Sequence, residues 1–404
     1  MNKKLFPILS AFLLLFSLIE KGQATETYRP ETSVAGFIQL PGSGRQVYNF
    51  NPGWRFFKGD IHGAESVDFD DRSWTIVSTP HTVELMPAEA SGCRNYQGPA
   101  WYRKHFVLPA ETKGKRVLIH FEAAMGKQVL YLNGKRIQEH VGGYLPFTLD
   151  LTTNGIQAGD SCLLAIFVDN SNDKSFPPGK PQYTLDFAYH GGIYRDVWMI
   201  AKSPVSITDP LDSQTVAGGG VFVHFDKISE KSAQVYVNTE LQNDNQHTET
   251  VTVETTLTDA DGKVIKRTSG KLSLKSGEKK IIRQQIEVKS PKLWSPDAPY
   301  LYKVQSRIKK GNQSIDGGIT RIGIRLAEFR GKDGFWLNGK PFVQLVGANR
   351  HQDFAYVGNA LPNSQQWRDA KRLRDAGCTI IRVAHYPQDP SLWMPAMNSE
   401  CSLS

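Results

Sequence analysis

The sequence predicts a multi-domain, mainly β protein in which two β-sandwiches precede the beginning of a parallel α/β unit. Three observations support this fold class. Short apolar runs separated by turn residues fill residues 46–330, apolar and polar residues alternate within several of these runs, and a strand–helix–strand order appears after residue 331. A chain of 404 residues is also too long for one core, since domains average about 150 residues.

Residues 1–24 have the features of a secretory signal peptide. Two lysines precede an apolar run from Leu5 to Ile19, and Gly22-Gln23-Ala24 supplies the small residues of a cleavage site. A membrane anchor is the alternative, but the run is shorter than the roughly 20 residues that a spanning helix needs. We therefore expect export to the periplasm or the extracellular medium, cleavage, and no membrane association afterwards.

Composition gives no support to a nucleic-acid-binding or metal-binding protein. The formal net charge of +8 is modest, and the basic residues form no continuous run. Four cysteines are too few and too scattered for a disulfide framework, and none has the spacing of metal ligands: Cys93, Cys162, Cys378 and Cys401. We predict no nucleic-acid partner and assign no metal ligand in this chain.

Residues 46–204 are predicted to form a sandwich of two sheets of the jelly-roll type. Asn133-Gly134 supplies the two residues with positive φ that a tight hairpin needs. No amphipathic helix interrupts the series of β-rich runs, which include Val117–Phe121, Val129–Leu132, Phe147–Leu151 and Leu163–Val168.

Residues 205–330 are predicted to form a second, immunoglobulin-like sandwich. Asp261-Gly262 marks a turn between two of its strands. The period of two that is typical of half-buried strands places one set of side chains inward, namely Val235, Val237, Thr239 and Leu241, and an intervening set outward, namely Gln234, Tyr236, Asn238 and Glu240.

Residues 331–404 change to a strand–helix–strand order. Asn338-Gly339 is a predicted turn, and the strand after it is expected to run on through Leu345-Val346. A helix is predicted to open at Pro362 and to close at Gly377 in the left-handed conformation. Three of its residues can share one face, namely Trp367, Ala370 and Leu373, and Ile380–Val383 is a second buried strand.

Polar residues follow both strands of this last unit. The first strand leads into Gly347-Ala348-Asn349-Arg350-His351 and the second into Arg382-Val383-Ala384-His385-Tyr386-Pro387. Active groups of α/β barrels cluster at the carboxyl ends of the strands, so His, Arg and Tyr side chains meeting there could hydrogen-bond sugar hydroxyls and keep a carboxylate ionised. Loop capping and surface salt bridges are the alternative.

These two motifs resemble the start of the catalytic barrel in glycoside hydrolase family 2, which contains β-galactosidases, β-glucuronidases and β-mannosidases. The segment Asp186–Val197 is a third match, and the three motifs occur in the family's order. The resemblance implies a jelly-roll, an immunoglobulin-like sandwich and then a (β/α)8 TIM barrel, of which residues 331–404 would be an incomplete part. It also implies a glycosidase acting on β-linked oligosaccharides or glycosides, most readily β-galactosides.

The resemblance also implies roles for individual residues. His351 and His385 match positions that contact sugar hydroxyls, and Arg382 matches an arginine that keeps the nucleophilic carboxylate charged. Asp186 matches an acidic position that reaches from the first domain toward the substrate or a bound cation. Magnesium or sodium is accordingly a candidate cofactor in a full-length relative, while Arg195-Asp196 is expected to be a structural ion pair.

The family's catalytic pair is not found in these residues. Retaining glycosidases use two carboxyl groups about 5 Å apart, which in this family are glutamates on later barrel strands. The sequence after Trp393 departs from the family pattern, as a premature stop or a frameshift would make it do, and Asn398 and Glu400 match nothing. We therefore assign no catalytic residue and expect the isolated chain to lack glycosidase activity.

A non-catalytic, secreted carbohydrate-binding protein built from two sandwiches is the alternative from another class. The barrel motifs argue against it, because a pure binding module does not need them, whereas the absence of matching glutamates argues for it. The nucleotide sequence immediately downstream would separate the two. A reading frame that encodes the remaining strands and both glutamates would indicate an interrupted enzyme.

Overall fold

The computed structural model describes residues 31–32, 39–86, 95–397 except 212, 214, 217, 343 and 344, and 402–403. Two β-sandwiches are followed by parallel strand–helix units, which confirms the predicted mainly β fold class. The predicted signal peptide, residues 1–24, lies outside the described residues, as do Cys93 and Cys401. Within the described part of the chain, no helix combines the length and the apolar character that a bilayer crossing requires.

The first sandwich consists of a five-stranded and a six-stranded antiparallel sheet. The described strands are β1 (Glu31–Thr32), β2 (Gln46–Asn49), β3 (Trp54–Lys58), β4 (Thr75–Val77), β5 (Pro99–Val107), β6 (Arg116–Phe121), β7 (Lys127–Leu132), β8 (Lys135–Val141), β9 (Phe147–Asp150), β10 (Ser161–Asp169) and β11 (Val197–Lys202). One sheet has the order β1-β2-β11-β6-β9 and the other β4-β3-β5-β10-β7-β8. Single turns of 3-10 helix occur at Ala110–Thr112 and Gln182–Thr184.

Aromatic residues dominate the core between these two sheets. Trp54, Tyr102 and Phe121 are completely buried. The centroid of the Trp54 ring lies 6.4 Å from that of Tyr102 and also 6.4 Å from that of Phe121. The hairpin predicted between β7 and β8 is confirmed, since Asn133 and Gly134 have φ values of 49° and 81°. Alternating apolar side chains on both sheets therefore stabilise the sandwich in the way that the sequence predicts.

The second sandwich is formed by eight described strands in two sheets. They are β12 (Val205–Ile207), β13 (Val221–Asp226), β14 (Ser232–Asn243), β15 (Glu249–Thr258), β16 (Val264–Leu274), β17 (Lys279–Lys289), β18 (Tyr302–Lys310) and β19 (Gln313–Ile322). In one sheet β12, β13 and β17 all pair with β14, and the other has the order β16-β15-β18-β19. The inward set predicted along β14 is buried.

One residue of the predicted outward set on β14 differs. Glu240 is buried, because its carboxylate accepts a hydrogen bond of 2.9 Å from the Thr208 hydroxyl beside it. A buried carboxylate that has a hydrogen-bond donor escapes part of the cost of leaving water. The prediction that Glu240 faces solvent is therefore wrong.

Buried charge joins the two sandwiches. Asp316 on β19 is completely buried, and its carboxylate accepts two hydrogen bonds of 2.8 Å from the Arg45 guanidinium of the first sandwich. The backbone N–H of Ile207 donates a third, also of 2.8 Å. A second contact is made by Arg116, which lies 2.6 Å from Asp150 of its own sandwich and 3.4 Å from Asp244 of the other. The two sandwiches are therefore joined by charged side-chain contacts in addition to the covalent chain.

A small antiparallel sheet and a parallel sheet complete the chain. The antiparallel sheet contains β20 (Ala327–Phe329), β21 (Phe335–Leu337) and β22 (Lys340–Pro341), with a turn of 3-10 helix at Gly331–Asp333. The parallel sheet has the order β23-β24-β25 and is built from β23 (Gly347–Arg350), α1 (Asn363–Asp375), β24 (Ile380–Val383), α2 (Pro390–Met397) and β25 (Ser402–Leu403). The predicted strand–helix–strand order is confirmed; α2 and β25 were not predicted.

Two details of this last unit differ from the prediction. The strand expected through Leu345-Val346 begins only at Gly347, because the Val346 backbone first pairs with Thr379 in a loop contact that precedes the parallel ladder. The helix face is also different, since Trp367 is exposed and α1 buries Gln366 with Ala370 instead.

The chemistry beneath α1 explains this change of face. The Arg350 guanidinium donates hydrogen bonds of 2.6 Å to Gln366 and 2.7 Å to Asp369. The helix therefore presents polar acceptors to a buried cation. Gly377 ends the helix with φ 85°, as predicted.

Candidate functional site

The two predicted histidines lie at one rim of the parallel sheet. His351 follows β23 directly and His385 follows β24, and the strands are in register with Arg350 opposite Val383. Carboxyl ends of neighbouring parallel strands meet at the same edge, so both imidazoles come to one place. Their ring centroids are 5.4 Å apart and the planes are inclined by 74°.

A phenylalanine of the first sandwich covers this pair. Phe187 lies in the segment between β10 and β11, and its ring stacks on His351 with a centroid distance of 5.5 Å and an angle of 22°. The same ring lies 5.6 Å from His385 and 5.7 Å from Tyr386. Sequence reasoning missed Phe187, although it directly follows Asp186 inside a motif that had been singled out.

Burial keeps the His351 imidazole neutral near pH 7. Loss of solvent lowers its pKa, and this outweighs the opposing charges of Asp353 and Asp186. Asp186 itself is exposed, so the structure places this carboxylate near the histidine at the solvent side of the site. His351 Nδ1 is buried without a hydrogen-bond partner among the described residues.

Arg382 lies at the same rim and remains exposed. Its Nη1 donates a hydrogen bond of 3.2 Å to Asn349 Oδ1, which joins the neighbouring strands β24 and β23. Arg382 is exposed and a guanidinium has five N–H donors, so further donors are available to an anion. The arrangement suits an arginine that stabilises a carboxylate next to a bound polar ligand.

Tyr386 forms the back of the site. Its ring stacks on Tyr144 of the first sandwich with a centroid distance of 4.3 Å, and its hydroxyl accepts a hydrogen bond of 3.3 Å from the backbone N–H of Gln352. Burial raises the pKa of the Tyr386 phenol, so it stays protonated. Two loops that follow different strands are thus linked behind the histidines.

Three family models match the chain in sequence order. The sugar binding domain of glycosyl hydrolases family 2 matches residues 64–204, the glycosyl hydrolases family 2 model matches 219–325, and the family's TIM barrel domain matches 329–396. The chain belongs to glycoside hydrolase family 2. This confirms the resemblance seen in the three sequence motifs.

Relatives of this family 2 chain act on more than one sugar. It is 35% identical to a β-galactosidase of Thermoanaerobacter pseudethanolicus over 85% of its own length and 44% of the relative's. It is 34% identical to a β-glucuronidase of Formosa agariphila over 87% of its own length and 37% of the relative's. The chain therefore spans less than half of each of these relatives.

A solved structure has the same architecture. A β-glucuronidase of Bacteroides uniformis, determined with cyclophellitol-6-carboxylate aziridine covalently bound, superimposes with a TM-score of 0.80 at 30% identity. The match covers 89% of this chain and 42% of that one. The family 2 fold of the two sandwiches and the start of the barrel is thus shared.

In this family 2 chain Arg195 does not pair with Asp196, so the expected ion pair between them is wrong. The Arg195 side chain points across the domain boundary, and its Nε lies 3.9 Å from Asp389. Asp196 instead accepts hydrogen bonds of 3.0 Å from Asn51 and 2.9 Å from Asn363. The two neighbouring side chains therefore have different partners, Asp389 for Arg195 and Asn363 for Asp196.

Buried acids accompany Arg195 at this boundary. Glu122 accepts a hydrogen bond of 3.0 Å from the Trp198 indole, and burial raises the pKa of its carboxyl group well above the ordinary value. Burial also raises the pKa of Asp196 to about 6, with Asp389 adding to the effect. Asp196 joins the first sandwich to α1 through Asn363, whereas the partner of Glu122 is Trp198 on β11 of its own sandwich.

The described residues do not fit a resident metal ion. No group of three or more His, Cys, Asp or Glu side chains among them is arranged to hold one. We therefore derive no step through magnesium or sodium. Cys162, on β10, is a buried free thiol.

Proposed function

We propose that this chain supplies the sugar-positioning part of a β-glycosidase that hydrolyses terminal β-linked sugars in carbohydrate breakdown, with β-galactosides as the leading substrates. The observation that carries the proposal is the convergence of His351, His385 and Phe187 at one strand rim of a family 2 chain. Neutral imidazoles both donate and accept hydrogen bonds, and an aromatic ring suits the C–H face of a pyranose.

Arg382 extends this arrangement toward the chemistry. Its exposed guanidinium at the same rim can hold a carboxylate ionised by charge and hydrogen bonds. A retaining mechanism uses such a carboxylate as the nucleophile and a second carboxyl group as acid and base. We assign neither group to a residue of this sequence, so these 404 residues supply sugar positioning.

The comparisons support a covalent, retaining reaction and keep a second specificity open. The Bacteroides uniformis relative carries a covalently bound cyclophellitol-6-carboxylate aziridine, which is the kind of adduct that a nucleophile forms. Because the β-galactosidase and the β-glucuronidase relatives are almost equally identical to this chain, β-glucuronides are the second candidate substrates.

The rival function is non-catalytic carbohydrate binding by the two sandwiches. Under that function the rim histidines would have no reason to share one place with Phe187, whereas a glycosidase needs them there. We also propose that the protein is exported, which the apolar run at Leu5–Ile19 supports. We propose a glycoside as its substrate and no nucleic-acid partner, since its basic residues form no continuous run.

Monosaccharide binding to the purified chain tests the proposal. D-galactose, D-glucuronate and D-mannose are titrated while the histidine ring signals are followed by NMR and the heat of binding by calorimetry. We expect galactose to bind best and to perturb His351 and His385. Loss of one hydrogen bond in His351→Asn or His385→Asn should weaken binding by about threefold to tenfold.

His224→Asn is the matched control, since His224 lies on β13 of the second sandwich. Affinity in this variant should stay at the wild-type value. If all three sugars bind and their affinities are the same in wild type, His351→Asn and His385→Asn, the rival function is favoured. A preference for glucuronate over galactose would replace the leading specificity with the second candidate.

A further inference from the structure

One guanidinium of the first sandwich reaches both histidine-bearing loops. Arg195 Nη2 donates a hydrogen bond of 2.9 Å to Gln352 Oε1 and another of 2.6 Å to the Pro387 carbonyl. Gln352 directly follows His351, and Pro387 is two residues after His385. A single side chain therefore holds the base of each loop that carries a rim histidine.

Neighbouring contacts fix the direction of this guanidinium. Arg195 Nη1 donates a hydrogen bond of 3.4 Å to the Tyr144 carbonyl, and the guanidinium lies 5.3 Å from the Tyr194 ring centroid. The side chain is only 3% exposed. An arginine presents planar, forked donors in fixed directions, so two acceptors on different loops can be held at a set separation.

Burying the Arg195 guanidinium at this place costs free energy that its few partners offset only in part. Leaving water is costly for a guanidinium, and Asp389, the one carboxylate within 4 Å of it among the described residues, is 3.9 Å away. Arg195 Nε has no hydrogen-bond partner in the described part of the chain. An apolar side chain would fill such an interface more cheaply, which points to a role for the donors themselves.

We infer that Arg195 is a positioning residue that sets the separation of His351 and His385 from outside the barrel. The inference rests on the proposed function, since it concerns the same sugar site. The first sandwich thereby contributes to the geometry of a rim that it touches with Phe187 and braces with Arg195. Displacing either loop would misplace a sugar-contacting ring.

Histidine NMR on the full chain tests this without any sugar. The ring C–H signals of His351 and His385 are assigned from their Asn variants and compared between wild type, Arg195→Met and Arg195→Lys. Both substitutions should move both signals, Met more than Lys. Arg195→Lys keeps the positive charge and is the variant to compare if Arg195→Met does not fold. Its ammonium group cannot reproduce the planar, forked donors of a guanidinium.

Arg116→Met is the matched control. Arg116 also joins two domains through partly buried ion pairs, yet its partners are Asp150 and Asp244 on the sandwiches. It should lower stability and leave both rim signals in place. The inference is overturned if Arg195→Lys leaves both signals at wild-type positions, or if Arg116→Met moves them equally.

Sugar binding gives a second readout that separates the two proposals. Arg195→Met should weaken galactose binding by about tenfold or more, because small displacements of binding groups are costly. If wild type binds no sugar, the proposed function fails while the histidine signals still decide the role of Arg195.

Discussion

The ring of Tyr144 in the first sandwich lies parallel to the ring of Tyr386 after β24, with planes 9° apart and centroids separated by 4.3 Å. Both rings belong to a cluster of buried residues that spans the boundary and includes Ala123, Met125, Tyr189, Tyr194 and Ala360. The beginning of the barrel therefore has a core in common with the first sandwich. A fragment with few strands of its own is stabilised by apolar burial against another domain.

Truncating Tyr144 should destabilise this shared core. Tyr144→Ala removes a large, buried ring and should lower the free energy of unfolding by about 3 kcal/mol. Tyr144→Phe is the control, because the Tyr144 hydroxyl has no hydrogen-bond partner among the described residues and its loss should be nearly neutral. Urea unfolding measures both, and equal losses in the two variants would contradict the stacking argument.

The raised pKa of Asp196, about 6, predicts a defined pH dependence. A carboxyl group whose pKa is higher in the folded state stabilises the protein most below its unfolded value near 4, and this stabilisation is lost as pH rises through 6. Asp196→Asn should therefore gain stability relative to wild type between pH 4 and 6, by on the order of 2 kcal/mol.

Paired urea titrations at several pH values measure that difference. Asp68→Asn, which changes an exposed carboxylate of the same sandwich, is the control and should show a flat difference. A difference for Asp196→Asn that does not change between pH 4 and 6 would show that burial does not hold its carboxyl group protonated.

Gly192 should not tolerate a side chain. It has φ 119°, and a Cβ atom there would lie 2.5 Å from the His81 carbonyl oxygen and 2.7 Å from the Tyr102 hydroxyl. Gly192→Ala should therefore cost about 3 kcal/mol through strain and overlap. Gly318→Ala is the control, since nothing lies within 4 Å of its added Cβ, and thermal unfolding should find it near wild type.

The 404-residue polypeptide should bind sugar without cleaving it. A chromogenic β-galactoside needs a proton donor for its leaving oxygen and a nucleophile for its anomeric carbon. The buried acids near Arg195 already accept hydrogen bonds, Glu122 from Trp198 and Asp196 from Asn363, and cannot replace that pair. Release of the chromophore at a rate near that of a family 2 β-galactosidase assayed in parallel would refute this.

Local features were predictable from the sequence because they depend on neighbouring residues. Asn133-Gly134 and Gly377 predicted a turn and a helix end because Asn and Gly adopt positive φ more readily than other residues. The period of two along β14 follows from its burial on one face. The same holds for the placement of His351 and His385, since motifs at the ends of parallel strands are brought together by the fold class.

Long-range contacts could not be predicted in this way. Arg195 finds its partners 157 and 192 residues further along the chain, and sequence proximity suggested Asp196 instead. Trp367 looked like a core residue by helical spacing, but the charge of Arg350 beneath the helix drew Gln366 inward. Which polar group is buried depends on its partner in space, and spacing does not contain that information.

The bond between Arg45 and the fully buried Asp316 also limits how this protein can be recombined. Each residue comes from a different sandwich. Exchanging one sandwich for that of a related enzyme would therefore leave an unpaired buried charge between the two, unless the replacement also supplied the missing partner. In domain shuffling or in protein engineering, the two sandwiches would accordingly have to be exchanged as one unit.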